Sequence, residues 1–99
     1  MITFRIPPHL FLLLRSGFDA GACDDAPLDS RLLAKVRAAL IEADVASMPG
    51  LPVILTLETA DELQVLIACF EVGSETDPFV SDDQYIAIQT VLEQAALTA

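Results

Sequence analysis

Few residues in this chain are equipped for chemistry: one histidine, His9, two cysteines, Cys23 and Cys69, and the adjacent carboxylate pairs Asp24-Asp25 and Asp82-Asp83. A histidine near neutrality serves as general base when it sits beside a serine or cysteine nucleophile. His9 instead follows Pro7-Pro8 at a predicted helix start, with no such neighbour in sequence. His9, Cys23 and Cys69 come from three separate segments and lack zinc-type spacing such as C-x₂-C, so no metal site is expected of them. Neither aspartate pair lies in a Ca²⁺-loop pattern. Gly17, Gly21, Gly50 and Gly73 are dispersed, which leaves no glycine-rich loop to cradle a phosphate. The expectation is a protein without catalytic residues, metal or cofactor: not an enzyme.

Charge carries more information. The 99 residues hold 5 Lys+Arg against 15 Asp+Glu, a formal net charge of −10 with a pI near 4.1. Binding to nucleic-acid phosphates or to an anionic membrane demands a basic face, so direct contact with either is not expected. The absence of Trp, a single Tyr and the lack of basic–aromatic alternation also speak against a single-strand binding platform. All five cations, Arg5, Arg15, Arg31, Lys35 and Arg37, fall within residues 1–37, where Asp19, Asp24, Asp25 and Asp29 leave a net of +1. Residues 38–99 contain eleven carboxylates and no Lys or Arg. Asp61, Glu62, Asp82 and Asp83 fall in predicted first helical turns, where negative charge opposes the helix dipole favourably. Glu71, Glu75 and Asp77 crowd the loop before the last helix, next to Asp82 and Asp83, and repel one another. The bland reading of such a run is a solvated face. The sharper one makes Glu71, Glu75, Asp77, Asp82 and Asp83 a docking surface for a basic protein patch.

The elements that must position these residues read as a repeated unit. Ile2-Thr3-Phe4-Arg5-Ile6 alternates apolar and polar residues, as Val53-Ile54-Leu55-Thr56-Leu57 does more weakly, so both are predicted strands at an offset of 51. An offset of 52 then aligns Phe18 with Phe70, Gly21 with Gly73, Asp25 with Asp77, Leu33 with Tyr85, Val36 with Ile88, Leu40 with Leu92 and Ala43 with Ala95. The predicted fold is α+β, mainly helical, with a duplicated strand–helix–helix order (β-α-α-β-α-α) and two short antiparallel strands about a pseudo-twofold axis. The whole chain, 1–99, is read as a single domain, its pseudo-repeats 1–47 and 53–99 joined by the turn-rich linker 48–52. Pro7-Pro8 opens the first helix, and the second starts near Asp29-Ser30. Thr59 with Glu62, and Ser81 with Gln84, have the spacing of capping boxes for the third and fourth. The rival arrangement makes residues 63–72 a strand in a hairpin with 53–57; helical spacing of Leu63, Leu66, Ile67 and Phe70 opposes it.

Hydrophobic residues make up 54% of the chain and the mean hydropathy is +0.54, more apolar matter than a domain this small readily buries. In the first helix Leu10, Leu13, Leu14 and Phe18 fill one stripe and leave Phe11 and Leu12 pointing elsewhere. In the third, Val65, Cys69 and Val72 form a second stripe beside the core one. Phe11, Leu12 and Val65 are therefore expected to bury in a homodimer. The apolar run 10–14 is too short for a secretion signal and nothing approaches a membrane span, so the expected location is cytoplasmic with reduced thiols. The functional expectation is a small acidic protein-binding module, an inhibitor that occupies a basic, nucleic-acid-binding surface of a partner. Phage anti-defence proteins, immunity proteins and antitoxins share this size and charge, an analogy that rests on no motif. The alternative is a self-assembling structural subunit, the basic first half of one copy facing the acidic second half of another.

Overall fold

The computed structural model describes residues 1–22, 30–76 and 80–97. The elements follow as β1 (Ile2–Ile6), α1 (Pro8–Ala22), α2 (Ser30–Ala46), β2 (Val53–Leu57), α3 (Ala60–Thr76) and α4 (Asp82–Leu97). The fold is mainly helical α+β, and the stretch that the rival reading made a strand is the middle of α3.

Local chemistry sets the boundaries. The Phe11 N–H donates to the Pro7 carbonyl at 2.9 Å, closing the first turn of α1 behind a proline that has no N–H to lose. At α3 the Thr59 N–H donates to Glu62 Oε2 at 3.0 Å while the Glu62 N–H donates to Thr59 Oγ1 at 3.3 Å. At α4 the Ser81 N–H donates to Gln84 Oε1 at 3.1 Å and the Gln84 N–H to Ser81 Oγ at 3.2 Å. Each box satisfies reciprocally two backbone donors that a bare helix start leaves unpaired. Between the halves, the Leu51 N–H donates to the Met48 carbonyl at 3.1 Å across Pro49-Gly50, with Gly50 at φ 80°. Proline second and a left-handed glycine third is the chemistry of a type II turn.

The two strands pair antiparallel, Ile2 opposite Leu57, Phe4 opposite Leu55 and Ile6 opposite Val53. Shifting β1 by the repeat offset of 51 maps this register onto itself about the central Phe4–Leu55 pair. Ile2, Ile6, Val53, Leu55 and Leu57 are buried, while Thr3, Arg5, Ile54 and Thr56 are exposed on the outer face. The Thr3 and Thr56 hydroxyls share a hydrogen bond of 3.2 Å there. A two-stranded ribbon is marginal by itself; here each half leans on the other. α2 packs on β2 and α3, α4 packs on β1, and α1 and α3 make the most extensive contact between helices. The positions aligned by the 52-residue offset share their surroundings: Phe18 and Phe70, Val36 and Ile88, Leu40 and Leu92, and Ala43 and Ala95 are all buried in one connected core.

Glycine makes the α1–α3 crossing possible. A Cβ on Gly21 would overlap the Cys69 carbonyl oxygen and lie 2.7 Å from its carbon. A Cβ on Gly73 would overlap the Gly17 carbonyl oxygen and lie 2.8 Å from the Gly21 nitrogen. The two close approaches are images of each other under the 52-residue offset, which carries Gly21 to Gly73 and Gly17 to Cys69. Gly17-x-x-x-Gly21 therefore meets Cys69-x-x-x-Gly73 across the crossing, backbone against backbone.

Candidate functional site

Two surfaces answer to the sequence expectations, one charged and one apolar. The charged one is built where α3 ends and α4 begins. Glu71 and Glu75 are one helical turn apart at the end of α3, Glu71 half-buried and Glu75 exposed. Asp82 and Asp83 are exposed in the first turn of α4, held there by the Ser81–Gln84 box. Asp77 lies outside the described residues, as do Cys23, Asp24, Asp25 and Asp29.

Tyr85 shows how these groups converge. Its ring stacks on Phe70, centroids 5.5 Å apart and planes inclined by 16°, which ties α4 to α3. Burial raises its phenol above the ordinary value, and the negative charges of Glu71, Glu75 and Glu93 raise it further. Carboxylates from both helices thus act on a single side chain. Glu93 is the member that sequence reasoning missed. It stands eight residues after Tyr85, just over two turns along α4 and about 80° round the helix, a spacing that gave little signal. Among the described residues, none of Glu71, Glu75, Asp82, Asp83 and Glu93 forms a salt bridge. Two other acids of the second stretch do pair with cations: Asp44 with Arg15 at 2.8 Å and Glu58 with Lys35 at 3.4 Å. Two cations expected to face another subunit are therefore engaged within the chain.

The apolar surface differs from expectation. Phe11 is only 1% exposed and Val65 only 6%, so neither is placed to bury in a homodimer. The reason is the glycine crossing. It seats α1 on the face of α3 that carries Cys69, and so covers Val65 and Cys69 of the second stripe from within, while Val72 stays exposed. Leu12 does point outward, and it is not alone. Shallow depressions join Leu12 to Met48 and Pro49, then Met48 to Leu51, Pro52 and Ile54. Leu12, Met48, Leu51 and Ile54 are each 53–65% exposed. The sequence marked 48–52 only as a linker and Ile54 only as one step of a strand alternation.

Little here supports chemistry. His9 is exposed in the first turn of α1, whereas Cys69 is a free thiol buried at the α1–α3 crossing, and burial raises it above the usual thiol range against the opposing charge of Arg37. Among the described residues no group of three or more His, Cys, Asp or Glu is placed to hold a metal ion, and no helix is long and apolar enough to cross a membrane. Compared with family models, curated proteins and solved structures, the chain matches none.

Proposed function

We propose that this protein is a small, non-enzymatic, cytoplasmic binding module whose acidic α3–α4 edge occupies a basic surface of another protein, as an inhibitor of that protein. The observation that carries the reading is the set of carboxylates on α3 and α4 without a salt bridge among the described residues: Glu71, Glu75 and Glu93, whose charges all act on Tyr85, and the exposed Asp82 and Asp83 at the start of α4. Asp44 and Glu58 are paired with cations within the chain, whereas, among the described residues, Glu71, Glu75 and Glu93 are not, and they lie outside the first helical turns where a carboxylate serves its own helix. Exposed like charges raise the association rate of an oppositely charged partner and penalise wrong ones. The partner class that fits is a protein with a nucleic-acid-binding groove, in which the carboxylates stand where phosphates would. Direct binding of nucleic acid is disfavoured: the outer ribbon face carries one cation, Arg5, on a chain of net charge −10.

The test compares wild type with the combined variant Glu71→Gln, Glu75→Gln, Asp82→Asn, Asp83→Asn, Glu93→Gln as immobilised baits for proteins of the native host. The expected result is a protein held by wild type, released by salt or by competing duplex DNA, and lost with the variant. Equal retention of that protein by the variant sinks the proposal.

A further inference from the structure

The acidic edge leaves the apolar shelf of Leu12, Met48, Leu51 and Ile54 unexplained. Its side chains, with Ala46, Pro49 and Pro52 between them, form a continuous patch on the order of a few hundred Å², the size that marks an interaction site. We infer that its occupant is a second copy of this chain, docked about a twofold axis that runs along β2 through Ile54.

Two features of charge argue for self-association. The first is neutrality. No charged residue lines the depression of Met48, Leu51, Pro52 and Ile54, and the one that lines its neighbour, Asp44, is neutralised by Arg15 at 2.8 Å. A copy bearing its own net charge of −10 is repelled by most of the surface and meets no such field here. Depletion of charge is also the mark of homodimer interfaces, whereas transient ones have the composition of ordinary surface.

The second is complementarity at the margins. Ile54 stands on the outer ribbon face with Arg5 directly opposite it on β1. On its other side, α2 brings Glu42 to the rim of the depression that Ile54 and Thr56 share. Arg5 and Glu42 are both exposed, and neither forms a salt bridge among the described residues. A twofold axis parallel to β2 turns one flank onto the other. It sets Arg5 of each copy over Glu42 of its mate, twice, while Ile54 meets Ile54 between them. The same rotation preserves position along the strand, so Leu51 at the head of β2 faces its own counterpart. Such an isologous contact is self-complementary in shape and in charge. None of Glu71, Glu75, Asp82, Asp83 and Glu93 lines the two depressions of the shelf, so this inference rests on other residues than the partner proposed above.

The experiment is sedimentation equilibrium of the full chain, wild type and variants, with circular dichroism to confirm that each variant is folded. Wild type is expected to be a dimer, and Ile54→Glu to raise its dissociation constant by at least about 100-fold, because the axis brings two buried carboxylates together. Leu51→Glu, in an exposed turn, supplies the same reading should Ile54→Glu disturb the ribbon. Arg5→Glu and Glu42→Arg should each weaken the dimer, and their combination should restore it. A wild type that stays monomeric to about 100 μM overturns the inference and leaves the shelf to a different protein. A dimer indifferent to Ile54→Glu and Leu51→Glu overturns it as well. A charge swap that fails to restore association overturns the proposed axis.

Discussion

Replacing Gly73 by alanine sets two physical effects against each other. Gly73 lies inside α3, and in a helix interior alanine is favoured over glycine by about 1 kcal/mol, so propensity alone predicts a more stable protein. The tertiary structure predicts the opposite. The added Cβ would overlap the Gly17 carbonyl oxygen and stand 2.7 Å from its carbon and 2.8 Å from the Gly21 nitrogen. These are backbone atoms of another helix, so no rotamer change relieves the overlap and α1 must retreat by about 1 Å. A gap of that size forfeits a quarter to a half of each dispersion well it opens, and α1–α3 is the largest helix contact in the molecule. An overpacking cost of about 3 kcal/mol, the upper end of the usual range, less about 1 kcal/mol of propensity, leaves a net loss of about 2 kcal/mol. For a domain of this length that lowers Tm by about 8–16 °C. Thermal unfolding followed by far-UV circular dichroism reads the change. Gly21→Ala should behave alike, because its Cβ would overlap the Cys69 carbonyl oxygen. Gly17→Ala should cost less, because the atoms its Cβ crowds belong to the Phe70 ring, Cδ1 at 2.8 Å, rather than to the backbone of another helix. A Gly73→Ala protein that melts at or above the wild-type temperature would refute the close crossing and with it the account of why Val65 is buried.

The two capping boxes should separate by burial. Glu62 is only 2% exposed and accepts from the Thr59 N–H and hydroxyl, so Thr59→Ala should cost about 1–2 kcal/mol; Ser81→Ala, in an exposed box, should cost about 0.5–1 kcal/mol in urea unfolding. Tyr85 is the only tyrosine of a chain without tryptophan, so its ionisation can be followed directly by ultraviolet absorbance. Glu71→Gln, Glu75→Gln and Glu93→Gln should each lower its pKa, with burial still holding it up in the triple variant; an unmoved titration would show that the carboxylates do not gather around it. Because the folded value is raised, the stability that neutral Tyr85 contributes is fully present below its unfolded pKa near 10 and is lost as pH rises through the folded value.

What could be read from the sequence was local or periodic. Alternation in 2–6 and 53–57 makes strands, because a two-residue period places one face on a core. The spacing Thr59 to Glu62 and Ser81 to Gln84 makes helix starts, because the partners lie within one turn. The order of elements, the antiparallel ribbon and the segregation of charge were all legible for this reason. The surfaces were not. Whether Val65 and Cys69 on α3 met water or another helix depended on Gly17 and Gly21, some fifty residues away. Which carboxylates stayed unpaired depended on Arg15 reaching Asp44 across 29 positions and Lys35 reaching Glu58 across 23. The apolar shelf exists only because the turn at 48–51 returns the chain beside Leu12 and exposes Ile54 at its rim. Hydrogen-bonded spacing within one element is written in neighbouring residues. Exposure is a property of what lies opposite, and the tertiary packing alone decides that.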